Sequence, residues 1–211
     1  LMQMPPKYGA PFRCSVIEEN NKIVLSVLGM NADGSLYKAI PSTLAENIEN
    51  YLSHYKSIGD YVEIKSGKIY NIGFVIDAFI DKSYNSADVI ANIISTVRKY
   101  MDVNNVDMGE DIFIGDLNKE ISIIDGLISL IDVKIYKING GGYSTDKCPL
   151  PSTTDTAVND CMPSDEQLFT VAGAEVERID LDAIDSVLYG DSDAMYEVKQ
   201  DTDICIRVKQ K

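Results

Sequence analysis

The sequence predicts an α+β protein: a ferredoxin-like layered domain, β-α-β-β-α-β with an extra short helix, followed by an extended segment and a C-terminal β-hairpin. Three observations predict it. Two stretches carry apolar residues at helical spacing, β-branched runs flank them, and the periodicity stops after Asn139 and returns only near the end.

"NKIVLSVLG" packs Ile23, Val24, Leu25, Val27 and Leu28 into a strand ended by Gly29, with a turn at "NADGS". "PSTLAENIENYLSHYKSIG" reads as a helix, with Pro41, a Thr43-x-x-Glu46 capping box and a stripe of Leu44, Ile48, Tyr51, Leu52 and Tyr55. Ser66-Gly67 reads as a tight turn in a long half-buried hairpin whose second strand puts Ile72, Phe74, Ile76, Ala78 and Ile80 on one face. "SADVIANIISTVRKYM" predicts a second helix with Ser86 as N-cap, Asp88 in its first turn, and Ile90, Ile93, Ile94, Val97 and Met101 in one stripe. Leu117, Ile121 and Ile124 suggest a short helix, and "LIDVKIYKI" a strand through Ile131, Val133 and Ile135. The Gly-, Ser-, Thr- and Pro-rich tract that follows reads as a connection, and "AMYEV" and "ICIRV" as a closing hairpin. The expected organisation is an extended N-terminal arm (1–20), the ferredoxin-like domain (21–139), a polar connection (140–178) and the hairpin extension (179–211).

In this chain of 211 residues, 33 acidic side chains against 19 basic ones give a formal charge of -14, which repels phosphate backbones and anionic lipid. Neither nucleic acid nor a membrane is an expected partner. No apolar run reaches the length of a spanning helix, and "LMQMPPKYGAPF" lacks the basic and apolar regions of an export signal. The start at Leu1, with Pro5-Pro6 soon after, suits the C-terminal part of a longer protein. Cys14, Cys148, Cys161 and Cys205 are scattered and His54 is the single histidine, so no zinc spacing is present. Reduced thiols are expected, with a Cys148 to Cys161 closure left open.

"VDMGEDIFIGDL" gathers Glu110, Asp111 and Asp116. Its spacing fits no EF-hand loop and has no histidine nearby, so a scaffold role is favoured over a metal or acid-base site. "GGGYS" lacks the lysine and strand-to-helix context of a P-loop. His54 sits on a helix among Tyr51, Leu52 and Tyr55, and no serine lies in a G-x-S-x-G elbow. No catalytic, cofactor-binding or metal residues are therefore expected, and no cofactor. A second reading is a calcium- or carbohydrate-binding adhesion module using Asp180, Asp182, Asp185, Asp191 and Asp193; a third, weaker one is a hydrolase acting through Glu110 and Asp111. Twelve tyrosines without tryptophan, and the Pro-rich arm, suit a protein that builds contacts with neighbours.

"NNVDMGEDIFIGDLNKEISIIDGLISLIDVKIYKINGGGYS" resembles the C-terminal region of baseplate wedge proteins of contractile-tailed bacteriophages, the baseplate J-like family. The resemblance rests on a helix ending at Tyr100, on Met108, Gly109, Asp111 and Ile112, on a helix start around Gly115, Asp116 and Leu117, and on Asp125-Gly126 before a strand. "STLAENIENYLSHYKSIGDYVEI" resembles the upstream helix-then-strand element of that family. The likeness spans about residues 5–145, and residues 140–211 depart from it. It implies a structural virion protein of the tail baseplate, paired within a ring and contacting other tail proteins. Wedge proteins of bacterial contractile injection systems are similar. It also implies that Met108 to Leu117 is a fold-forming turn and helix start, Gly109 and Gly115 allowing tight backbone while Ile112, Ile114 and Leu117 anchor it.

Overall fold

A computed structural model of the protein describes Met4 and residues 11–19, 22–38, 40–55, 61–153 and 173–211. Among these residues it is a mixed α/β protein with three α-helices and abundant strand. The chain divides into two compact units, Leu1–Ile69 with Asp107–Glu110 and Gly190–Met195, and Tyr70–Val106 with Asp111–Tyr189 and Tyr196–Lys211.

The first unit is organised by one strand with partners on both edges. β1 (Arg13–Glu19) pairs antiparallel along β2 (Lys22–Met30), from Arg13 opposite Leu28 to Glu19 opposite Lys22. β3 (Leu36–Tyr37) pairs with Gly29 and Met30, and β4 (Val62–Ser66) runs parallel to Ile23–Val27. A central strand covered on both faces has little use for alternation, and Val24 through Gly29 are all buried. α1 (Ser42–Ser53) buries Ile48 against Leu25 and Val27, with Leu44, Tyr51 and Leu52 around it. Its N-cap is Pro41, whose carbonyl accepts from Leu44 and Ala45 at 2.9 and 3.1 Å. Thr43 thus lies inside the first turn, past the capping position, and the expected capping box does not form.

The second unit is built on β5 (Lys68–Ile80), nearly all of it buried, including the predicted face of Ile72, Phe74, Ile76, Ala78 and Ile80. β7 (Leu127–Gly140) pairs antiparallel with it, β8 (Ala174–Arg178) extends the sheet beyond β7, and β11 (Ile204–Gln210) runs parallel along Phe74–Ile80. β10 (Ala194–Glu197) also lies on β5. The short β6 (Ile112–Phe113) pairs with β9 (Val187–Leu188). α2 (Ser86–Tyr100) buries Val89, Ile93 and Val97, and its N-cap is Asn85, one residue before the predicted Ser86, because Asn85 Oδ1 accepts from Ala87 N–H at 3.1 Å. α3 (Ile114–Ser122) buries Ile114, Leu117 and Ile121.

These pairings depart from several expectations. A ferredoxin-like sheet needs the strand at 22–30 beside β5 and β7, but β2 pairs with β1, β3 and β4 in a separate sheet. The span 21–139 is accordingly divided between the two units, and Ser66-Gly67 links two sheets instead of turning a hairpin, Gly67 N–H bonding to Val27 O at 2.9 Å. β10 and β11 both pair with β5 and form no hairpin, each joining the long buried strand instead of the other. The arm and the polar connection each contain a paired strand, β1 and β8.

Cys14 and Cys148 form no disulfide, so the Cys148 to Cys161 closure is not made; Cys205 is disulfide-bonded, against the expectation of reduced thiols throughout. Cys161 itself lies outside the described residues.

Gly141 marks where β7 gives way to its turn. Its φ is +58°, and a Cβ there would sit 2.7 Å from Ala174 N. Gly141→Ala should cost about 1–3 kcal/mol through left-handed strain and backbone crowding. Faster hydrogen exchange at the β8 amides is the expected readout, and unchanged protection there would refute the crowding.

Candidate functional site

Met108 to Leu117 is built as a turn leading into a strand and a helix. Gly109 has φ +77° and donates its N–H to Ala194 O at 3.0 Å, with Ser192 Cα 3.0 Å from the position of an added Cβ. Glu110 closes the turn, its carboxylate accepting from Asp107 N–H at 2.8 Å, and Asp107 pairs with Arg13 at 2.9 Å. Met108 is half-buried beside Gly67, whose added Cβ would meet the Met108 methyl. Asp111 is exposed, Ile112 is buried in β6, and Gly115 and Asp116 lie exposed in the first turn of α3 ahead of the fully buried Leu117. Asp116 sits at the positive end of the helix dipole and pairs with Lys119 at 2.7 Å. Each carboxylate with a described partner thus serves a turn, a helix end or a surface ion pair.

Asp125-Gly126 forms the next turn. Gly126 has φ +85°, accepts from Asp81 N–H at 2.9 Å and lies against the Tyr84 ring, which leaves no room for a side chain; Asp125 is exposed. His54 is exposed at the end of α1.

Of the acidic residues of the calcium reading, Asp180 and Asp193 are engaged by neighbouring groups, and Asp182 is exposed. Asp180 Oδ1 accepts from Ala183 N–H at 3.2 Å, Asp193 pairs with Lys68 at 3.1 Å, and Asp185 has φ +50° in a turn. Among the described residues no group of three or more His, Cys, Asp or Glu could hold a metal ion.

Three of the five "GGGYS" amides are spent on structure. Gly140 N–H bonds to Ser144 O, Tyr143 N–H to Gly140 O, and Ser144 N–H to Asn71 Oδ1 at 2.7 Å. Buried Asn71 in turn donates to buried Glu197 at 2.7 Å. Tyr143 donates its hydroxyl to the fully buried Asp203 at 2.5 Å, and Lys199 Nζ donates to Gly142 O. Burial holds the Asp203 carboxyl above its usual range, although the Tyr143 hydroxyl and the Gln200 N–H oppose that shift. Burial and Asp203 push the Tyr143 hydroxyl up as well. Sequence reading missed this network, whose members are up to 126 positions apart in the chain.

No family model matches the chain, and no curated protein matches it either.

Proposed function

We propose that the chain is a non-enzymatic structural subunit of a contractile-tail baseplate, the C-terminal part of a wedge protein, associating with copies of itself and with other tail proteins. The observation that supports this most is the use made of Met108 to Leu117. The residues that carry the wedge-family resemblance serve as a turn, a strand and a helix start, with Ile112 and Leu117 in the core and the carboxylates facing solvent or backbone. The hydrolase alternative would require Glu110 and Asp111 to converge on a cleft. Glu110 instead closes its own turn.

Immunogold electron microscopy with antibodies to the chain tests the proposal on particles from the organism that encodes it. Gold at the tail end is expected. Unlabelled particles beside a strong signal in the cell extract would refute it.

A further inference from the structure

The second unit contains a polar cleft of about 410 Å³. Its walls are β7 around Leu130–Val133, the α3 face carrying Asn118, and the chain from Arg178 to Asp182. The backbone there is pinned: Thr153 N–H bonds to Arg178 O at 3.0 Å, Ile179 N–H to Ile135 O at 2.8 Å, and Asp180 N–H to Pro151 O at 3.0 Å. A pinned wall holds its side chains in place before any ligand arrives.

The cleft is rich in unmet hydrogen-bonding capacity. Asn118 Oδ1 and Thr153 Oγ1 are buried without a hydrogen-bond partner. Among the described residues the side chains of Arg178, Asp132 and Asp182 also have none. Arg178, Asp132 and Asp182 line the cleft and are open to a group that comes from outside. The chemistry of the lining narrows that group. An anion such as phosphate would face three aspartates, and a bare cation would leave Arg178 unanswered and repelled. A wholly apolar ligand would leave Arg178 and the carboxylates unanswered. A neutral polyol fits the charged lining: its hydroxyls donate to the carboxylates and accept from the Arg178 guanidinium, and its C–H face lies on the aliphatic wall of Leu130 and Ile131. The volume lies near the lower end of the ligand-pocket range, about 300–1,000 Å³, which suits one or two sugar rings.

We infer that this cleft binds a neutral saccharide of one or two rings, a property independent of the assembly role proposed above. Two-dimensional NMR of the full chain, titrated to tens of millimolar with glucose, galactose, mannose, N-acetylglucosamine and maltose, tests it. At least one of these should shift the Asn118 side-chain amide and the backbone amides of 130–133 and 178–182. Arg178→Gln and Asp182→Asn should each weaken that sugar at least tenfold while leaving the rest of the spectrum unchanged; Asp182 is exposed, so its variant retains the fold even if the other does not. No response to any of the five sugars would overturn the inference. So would a response to calcium or to an alkylamine alone, or sugar shifts whose affinity neither substitution alters.

Discussion

Leu117→Ala is expected to lose about 2–5 kcal/mol of stability, read as a lower urea midpoint by circular dichroism, while Asp116→Asn one residue earlier changes it by less than about 0.5 kcal/mol. Leu117 is fully buried and shares a stripe with Ile114 and Ile121, on a helix that packs against β7 and α2. Truncating it removes apolar contact and leaves a cavity that a nine-residue helix seated at both ends closes poorly. The Asp116 carboxylate is more than half exposed and its partner Lys119 more exposed still, so solvent screens their attraction. This contrast is the quantitative content of reading the acidic stretch as scaffold. A large loss in Asp116→Asn with a small one in Leu117→Ala would invert that reading and restore the carboxylates as a functional site.

Local pattern carried the elements of this fold, and long-range pairing decided their arrangement. The stripes of α1 and α2 and the apolar runs of β2 and β5 are visible because burial imposes a period on neighbouring residues. β1 is not visible: "RCSVIEE" has no apolar alternation, and its strand state comes from the partner edge that β2 supplies. Sheet membership is harder still. β11 joins β5 through a parallel register in which Arg207 pairs with Asp77, 130 positions away, and no local signal encodes that choice. The Ser66-Gly67 pair carried a hairpin signal, yet β4 and β5 found their partners in different sheets. At the candidate site the same division holds. The glycines of Met108 to Leu117 announced tight backbone, and Gly109 provides it. Nothing near "GGGYS" announced Asp203, because the tyrosine and its carboxylate meet only after β11 has been placed.

Tyr143→Phe should therefore cost between about 0.5 and 3 kcal/mol, from the range of a neutral hydrogen bond to that of a bond to a charged group, and less in acid than at higher pH. In the parent protein the hydroxyl favours the ionised form of a fully buried carboxylate, while burial works against that form and prevails. The folded pKa of Asp203 lies above its ordinary 3.8, so over the interval between the two values the unfolded chain has released a proton that the folded chain retains. The contribution of Asp203 is then full below 3.8 and falls as pH rises through the raised value. Removing the hydroxyl takes away one of the influences holding that value down, which moves it higher and widens the interval. The gap between parent and variant must grow as pH climbs through it, whereas Glu19, Asp81 and Glu177, held below their ordinary values, lose stability in the opposite direction and do so equally in both proteins. Urea melts of parent, Tyr143→Phe and Asp203→Asn across the acid range separate these effects. The difference between parent and Tyr143→Phe should rise with pH, and the same tyrosine substitution made in the Asp203→Asn background should show no such rise. A gap that stays constant with pH in the parent background would mean that the hydroxyl does not sense the ionisation of Asp203, and the buried pair would then be a neutral hydrogen bond.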